Sequence, residues 1–335
     1  MVLVTGATGL VGSHLSLHLL EKGEAVLATY RNPKSLSKTK ALFQSYGKVK
    51  LFDALNWIQA DIIDISAMEL VFQQPIDEVY HCAALISFDP KDEEQLRKSN
   101  IEGTANIVNF CLTYKVKKLC YVSSIAALGN LKENETVLTE QSEWNPESNH
   151  SDYAISKYGA EMEIWRGQQE GLKVVLVNPG VILGFGFFEQ ASGVLFAKIK
   201  NGFPFYTTGS TGFVSVWDVV KIMYLVMKSD INGERFSVIS ENCTFKEVLF
   251  NVAENYGVSK PKFEISKSTT LFLSKLDWFW SIFCFQKRTL SRELALSLHA
   301  KELVSNAKIV EKLDYSFEPV SETIRYIISL EKQLG

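Results

Sequence analysis

The chain has 335 residues, is 46% apolar and carries a formal net charge of −3 at pH 7. A slightly acidic balance gives no indication of nucleic-acid binding, and five cysteines without a C-x-x-C pair indicate reduced thiols in the cytoplasm rather than a disulfide-bonded secreted domain. The length favours one large α/β unit with an appended lobe.

Residues 1–12 combine a short apolar run with three glycines, Gly6, Gly9 and Gly12. The apolar spacing then becomes helical, which predicts a buried strand, a tight turn and a helix start. Backbone N–H groups and the positive end of the helix dipole meet at such a turn, so we expect it to bind phosphate. Because the apolar run begins at the first residue, we expect no signal peptide.

Strands and helices alternate through the first half of the chain. Apolar runs predict further strands over residues 25–29, 57–60, 78–82, 118–123, 173–178 and 236–239. Helical spacing lies between the first of these runs, over 33–46, 66–72, 93–114 and 153–169. This alternation predicts a doubly wound, Rossmann-type α/β fold whose parallel sheet is covered on both faces, with a ligand crevice at the carboxyl ends of the strands.

The βαβ rhythm ends after residue 178. We therefore expect residues 1–178, with about 213–240, to form the Rossmann domain, and 179–212 with 241–335 to form a smaller, mostly helical substrate lobe. The most apolar late stretch is 271–285, but Lys275 and Asp277 interrupt it and it is short for a membrane span. We expect its aromatic side chains to lie in the core or line a pocket, rather than contact a membrane surface.

A phenol and an ammonium group stand four residues apart, at Tyr153 and Lys157, on one predicted helix face. A nearby cation stabilises a phenolate, so the pair is suited to proton transfer at a carbonyl or hydroxyl carbon. Ser123 and Ser124 end the predicted fifth strand, where a hydroxyl could hold the substrate oxygen. The Y-x-x-x-K pairing also occurs by chance on exposed helices. The catalytic interpretation is therefore supported by the position of the pair after the predicted fifth strand rather than by the pairing alone.

Together, these motifs resemble the extended short-chain dehydrogenase/reductase family over nearly the whole chain. The resemblance implies Ser124, Tyr153 and Lys157 as catalytic residues, with Lys157 also binding the nicotinamide ribose. It implies a dinucleotide site made of the glycine turn and of segments that match the family's adenine, H-x-A-A, N-x-x-G-T, serine-strand and nicotinamide motifs. The expected cofactor residues are Gly6, Thr8, Gly9, Leu10, Val11, Gly12, Asp61, Ile62, Cys82, Ala83, Ala84, Asn100, Val122, Tyr153, Lys157, Asn178, Pro179, Gly180 and Val181.

The end of the second strand indicates which dinucleotide is preferred. Enzymes that prefer NAD(H) carry Asp or Glu there to accept from the ribose 2′-OH. Here Thr29 takes that place and Arg31 follows, so a 2′-phosphate would meet a guanidinium and no carboxylate. We therefore expect NADP(H), with NAD(H) as the alternative, and a solvated surface charge as the alternative role of Arg31.

The aromatic residues of the later half of the chain indicate the class of substrate. Aromatic residues crowd 184–217 and 278–285, which favours an apolar or aromatic ketone or alcohol. The resemblance is strongest to the dihydroflavonol-reductase and 3β-hydroxysteroid-dehydrogenase branch. A nucleotide-sugar epimerase or dehydratase shares the core motifs, although Ser124-Ile125 replaces the Asp-Glu that is typical of dehydratases. A non-catalytic NADP-binding sensor or scaffold is the alternative of another class.

The remaining histidines and charges have structural interpretations. His14 and His18 lie four apart with no third ligand in view, so we expect no metal site. We expect His81 and Asp218 to be structural, and Cys82 not to be a nucleophile. We expect a small molecule as the binding partner, and we expect neither nucleic-acid binding nor a membrane span. By analogy with the family that the chain resembles, a homodimer is also possible.

Overall fold

The computed structural model describes residues 1–283, 288 and 290–334. Twelve strands are found among these residues, seven of them in one sheet. They are β1 (Val2–Thr5), β2 (Val26–Tyr30), β3 (Asn56–Gln59), β4 (Glu78–His81), β5 (Lys118–Val122), β6 (Val174–Pro179), β7 (Val181–Leu183), β8 (Phe205–Tyr206), β9 (Ser210–Ser215), β10 (Glu234–Val238), β11 (Glu241–Thr244) and β12 (Phe263–Glu264).

The helices of the described residues surround these strands. They are α1 (Leu10–Glu21), α2 (Ser35–Ser45), α3 (Val49–Phe52), α4 (Ile65–Phe72), α5 (Glu93–Leu96), α6 (Gly103–Thr113), α7 (Asp152–Gln169), α8 (Gly193–Lys200), α9 (Val216–Lys228), α10 (Phe245–Tyr256), α11 (Lys267–Phe283), α12 (Arg292–Ser297), α13 (Ala307–Leu313) and α14 (Val320–Leu334).

The main sheet is parallel throughout, in the order β10-β6-β5-β4-β1-β2-β3. Strands β2 and β3 lie on one side of β1, and β4 and the later strands lie on the other. This change of side, the topological switch point, places a crevice at the carboxyl ends of β1 and β4. Neighbouring side chains of β1 point to opposite faces, so Leu3 and Val4 belong to two separate apolar cores. Helices cover both cores, because a parallel sheet buries both of its faces.

The predicted doubly wound α/β fold is confirmed, and the predicted strands match β2–β6 and β10 to within two residues. The helix predicted over 93–114 is interrupted: α5 runs into a π-helical segment, Arg97–Glu102, before α6. A π-helix is the same helical path with one wider turn, which apolar spacing does not distinguish from an α-helix.

Outside the main sheet, β7, β9 and β11 form a three-stranded sheet, and β8 pairs with β12. The expectation that the aromatic residues of 271–285 lie in the core or a pocket is wrong for the described side chains: Trp278 is 50% exposed and Trp280 64%. Hydroxyl side chains of α11 are buried instead. Hydropathy indicated that the segment is apolar, but not which side of the helix faces the protein. The side chain of Phe283, and residue Phe285, lie outside the described set.

None of the helices formed by the described residues is both long enough and apolar enough to cross a bilayer.

Candidate active site

The glycine turn joins β1 to α1 at the switch point of the sheet. Gly6 has φ +64°, and a Cβ there would lie 2.7 Å from the Ala83 backbone. A Cβ on Gly12 would lie 2.2 Å from the Gly6 carbonyl oxygen, so Gly12 lets the helix pack against its own turn. Gly9, the N-cap of α1, is exposed, and its Cβ would meet only the Gly6 oxygen at 3.4 Å.

The Gly9 position therefore presents an open cradle to solvent. Thr8, Leu10 and Val11, which flank it, are partly exposed at the start of α1. A pyrophosphate fits such a cradle, because free N–H groups point outward and no side chain fills the space.

The end of β2 lies beside the end of β3 in the parallel sheet. Thr29 is buried, whereas the side chain of Arg31 is 62% exposed and its guanidinium lies 3.7 Å from the Asp61 carboxylate. Asp61 accepts from the backbone N–H of Ile63, and Ile62 packs against Gly103 of α6. The predicted adenine and 2′-phosphate residues thus lie at one edge of the crevice.

Ser124 and Tyr153 meet at the end of β5. Burial has the larger effect on the pKa of the Tyr153 phenol and raises it, while the Ser124 hydroxyl lies near enough to lower it. Ser124 Oγ also accepts from the Ala126 N–H at 3.2 Å, and the Asn178 amide donates to the Ser124 carbonyl at 2.9 Å. The Phe88 ring lies 5.8 Å from that of Tyr153, between their centroids. The two predicted catalytic hydroxyl groups therefore lie next to each other at the end of β5.

Lys157 lies one helical turn beyond Tyr153 and is almost fully buried. Its ammonium donates to the Tyr121 hydroxyl and to the Val122 carbonyl, both at 2.7 Å. Burial lowers the pKa of Lys157 to about 7, against the opposing charge of Glu161. Lys157 is thus anchored on β5, and the pKa of Tyr153 is raised rather than lowered in this arrangement.

Glu161 forms a buried polar cluster that the sequence interpretation missed. Its carboxylate accepts from Ser123, from Asn178 at 2.6 Å, and from the Arg235 guanidinium at 3.0 Å. The spacing held a usable signal, since Glu161 follows Lys157 by four residues and so shares its helix face. Arg235, on β10, was unpredictable because its contact depends on which strand joins the sheet edge.

The end of β4 carries the H-x-A-A segment into the crevice. His81 bridges the Thr5 and Thr104 hydroxyls, at 2.7 and 3.0 Å, and burial lowers its pKa to about 3. Burial also raises the pKa of Cys82 to about 12, so this thiol stays protonated at neutral pH. Ala83 donates its N–H to Thr5 at 3.3 Å, and Ala84 follows it in the same irregular stretch.

Two further predicted segments join this end of the sheet. Asn100, in the π-helical segment, holds the loop after β4 through the Leu85 backbone and bonds the Ser156 hydroxyl at 2.9 Å. Pro179 ends β6, and Gly180 lies so close to Gly212 of β9 that a Cβ would reach within 2.2 Å of the Gly212 oxygen. Val181, the first residue of β7, is half-buried beside them.

The residues assigned to structural roles lie away from this crevice or inside the protein. His14 is buried against Trp217 and Tyr46, and burial lowers its pKa to about 4. Asp218 accepts from the Tyr315 hydroxyl at 2.7 Å. Hydrogen bonds and packing within the protein account for both side chains.

Comparison with known proteins gives the family context. The sequence model of the NAD-dependent epimerase/dehydratase family matches residues 2–239. The chain is 28% identical to sterol demethylase protein B of Methylococcus capsulatus over 78% of this chain and 76% of that one. It is 27% identical to a putative dihydroflavonol 4-reductase of Synechocystis, over 77% and 73%. The solved structure of UDP-glucose 4-epimerase with UDP-glucose from Thermotoga maritima superposes with a TM-score of 0.77 at 21% identity, over 99% of both chains.

Proposed function

Because the chain belongs to the NAD-dependent epimerase/dehydratase family, we propose that it is an NADP(H)-dependent oxidoreductase that reduces a ketone or aldehyde of an apolar or aromatic small molecule, or oxidises the corresponding alcohol. The observation that carries this proposal is the meeting of Ser124, which follows β5, with Tyr153 of α7, next to the buried ammonium of Lys157 that is anchored on Tyr121 and Val122. Parallel α/β sheets bind their ligands at this end, and the two hydroxyls can share one substrate oxygen there.

When bound, NADP(H) supplies or accepts the hydride at the nicotinamide ring. Gly6, Gly9 and Gly12 would hold its pyrophosphate, and residues 178–181 would lie against the nicotinamide. The assignment of 1–178 with about 213–240 to the cofactor and of 179–212 with 241–335 to the substrate is part of this proposal.

Tyr153 is the proton donor of the proposed reduction. Its raised pKa keeps the phenol protonated at neutral pH, so a proton is available for the oxygen of a carbonyl that accepts hydride at its carbon. Ser124 donates a hydrogen bond to the same oxygen while its backbone is held by Asn178. Tyr153 lies on α7 and Ser124 directly follows the end of β5, and these fixed positions set the direction of proton delivery.

Lys157 is placed to act through its charge. Its ammonium is buried behind Tyr153 and anchored on Tyr121 and Val122, at the strand end where a ribose would lie. With a pKa of about 7, Lys157 loses charge within the neutral range, so the electrostatic support of a phenolate would decline with rising pH.

A preference for NADP(H) is supported by two neighbouring residues. Buried Thr29 offers no carboxylate to a ribose 2′-OH, and the exposed guanidinium of Arg31 can turn toward a 2′-phosphate, because its contact with Asp61 at 3.7 Å is loose.

The reductase assignment is favoured over a nucleotide-sugar epimerase by the kind of relative found in sequence. The names of the two sequence relatives refer to a sterol and a dihydroflavonol, and both matches span about three quarters of this chain. The likeness to UDP-glucose 4-epimerase, at 21% identity, concerns the fold alone. Four described cysteines are free thiols, which supports a reducing compartment such as the cytoplasm.

A substrate screen tests the proposed function. The purified chain is mixed with NADPH and panels of aldehydes, aromatic and alicyclic ketones, and nucleotide sugars, and the NADPH absorbance is followed. We expect oxidation of NADPH with an apolar ketone or aldehyde. Conversion of a nucleotide sugar to its epimer without net change of the dinucleotide would contradict the proposal.

A further inference from the structure

Helix α11 buries three hydroxyl side chains against the protein and exposes apolar ones. Thr270, Ser274 and Ser281 are buried, at 4%, 2% and 4% exposure. The Thr270 hydroxyl bonds to the His299 ring at 2.9 Å, and the Ser274 carbonyl accepts from Arg288 at 3.2 Å. Hydrogen bonds from Thr270 and to the Ser274 carbonyl therefore tie this side of α11 to the rest of the protein.

The opposite side of α11 is apolar and exposed. Phe272, Leu273, Leu276 and Trp280, hereafter the α11 apolar face, are 60%, 38%, 49% and 64% exposed. Their spacing of one, four and eight residues from Phe272 places them on one side of the helix. A contiguous apolar stripe of this kind marks an interaction surface, because its exposure to water is unfavourable.

Three further exposed aromatic side chains, from β8, β12 and the residues before β8, form a cluster of their own. Phe203 and Phe205 are each 37% exposed and Phe263 is 58% exposed. The ring centroids of Phe203 and Phe205 lie 5.6 Å apart, and those of Phe205 and Phe263 lie 6.0 Å apart. Phe263 of β12 joins this aromatic cluster to α11, because β12 ends three residues before α11 begins.

The charge of this segment indicates what the surface meets. Residues 260–301 contain eight lysines and arginines against three acidic residues, although the whole chain carries −3. Lys262, Lys267 and Lys275 are exposed, and no described residue forms an ion pair with them. The rest of the chain therefore carries −8, so the positive charge of the chain is concentrated in the sequence segment that contains the α11 apolar face.

We propose that the α11 apolar face, with its basic surroundings, binds the surface of a lipid bilayer that contains anionic headgroups. Aromatic and leucine side chains enter the boundary between headgroups and acyl chains, and lysines next to them are attracted to anionic lipids. Tryptophan is suited to this boundary because its ring is apolar and its N–H is polar. The 17-residue helix would lie along the surface, since its other side is bonded to the protein. This binding does not depend on the reaction catalysed.

The α11 apolar face is tested by sedimentation of the full chain with vesicles of phosphatidylcholine, with and without phosphatidylglycerol. The chain should sediment with the mixed vesicles. Replacing Leu276 and Trp280 by Ser should lower the vesicle-bound to free ratio by at least about tenfold. The matched control replaces Ile65 and Leu70 by Ser, because both are 61% exposed and lie on α4, and it should bind as the unmodified chain does.

The charge dependence gives a second, independent readout. Replacing Lys267 and Lys275 by Gln should lower binding to the mixed vesicles by about tenfold and leave binding to pure phosphatidylcholine unchanged. Three results would overturn the proposal: absence of vesicle binding, binding that neither pair of substitutions alters, or a dimer without vesicle affinity that the Leu276 and Trp280 substitutions dissociate in sedimentation velocity.

Discussion

The ammonium group of Lys157 donates a hydrogen bond to the hydroxyl of Tyr121 at 2.7 Å and lies 4.4 Å from the centre of its ring. Tyr121 therefore determines where the buried cation sits, although the Y-x-x-x-K spacing points only to Tyr153. Because β5 supplies Tyr121 and Val122 to Lys157, and Ser124 follows two residues later beside Tyr153, the end of one strand brings the candidate catalytic residues together.

Replacing Tyr121 by Phe should lower kcat/KM by about tenfold, because Lys157 loses a hydrogen bond to a charged donor that lies in the interior. Steady-state kinetics with NADPH measures this decrease in kcat/KM. The control is Tyr80→Phe, one strand away, since the buried Tyr80 hydroxyl has no hydrogen-bond partner among the described residues and its removal should leave activity unchanged. Equal activity of the two variants would contradict the anchoring role of Tyr121.

Replacing Glu161 by Gln should change the pH dependence of kcat/KM. Burial lowers the pKa of Lys157 to about 7 and the Glu161 carboxylate partly opposes this, so removing its charge lowers that pKa further. If activity needs the ammonium form, it is lost as pH rises through this pKa, and the loss should begin at a pH lower by about one unit in the variant.

Glu163→Gln is the control for this pH profile, because Glu163 lies on the same helix but pairs with Arg166 at 2.8 Å outside the site. The pH profile also separates positioning from folding, since a smaller folded fraction lowers activity without shifting the profile. A profile of Glu161→Gln that coincides with that of the unmodified chain would rule out the role assigned to Glu161.

The difference between Tyr153 and Glu161 shows what sequence patterns could predict. Strand and helix periodicity gave the α/β sheet, and motif order brought Ser124 and Tyr153 to one strand end. The four-residue spacing could have placed Glu161 on the helix face of Lys157, but its pairing with Arg235 depends on a contact between α7 and β10 that no local spacing encodes. Helix α11 was misinterpreted for a related reason: hydropathy measures how apolar a segment is but not which side of it faces the protein.

Two glycine substitutions should separate cofactor binding from folding. Gly9→Ala should keep the melting temperature, because its Cβ meets the protein only at 3.4 Å, but should weaken NADPH binding by at least about tenfold by filling the phosphate cradle. Gly12→Ala should instead destabilise the fold by about 1–3 kcal/mol, since its Cβ would overlap the Gly6 oxygen. Thermal melts and calorimetric titration measure both; unimpaired NADPH binding by Gly9→Ala would contradict the cradle.

Replacing Arg31 by Ala should raise the KM for NADPH by about tenfold and leave the KM for NADH unchanged, since only the 2′-phosphate would lose a charged hydrogen bond. Arg325→Ala is the matched control, because its side chain is 65% exposed, against 62% for Arg31, and lies on α14. A preference for NADH in the unmodified chain, or equal changes in both KM values, would refute the proposed cofactor preference.

The most direct test of the proposed chemistry is Tyr153→Phe, assayed with the carbonyl substrate that the screen identifies. We expect turnover to fall by about 10²–10⁴-fold, because the variant has no phenol proton to give to the substrate oxygen. The dissociation constant of NADPH, measured by calorimetry on the same protein, should stay within about twofold, since the phenyl ring preserves the packing against Phe88. Turnover close to that of the unmodified chain would contradict the account.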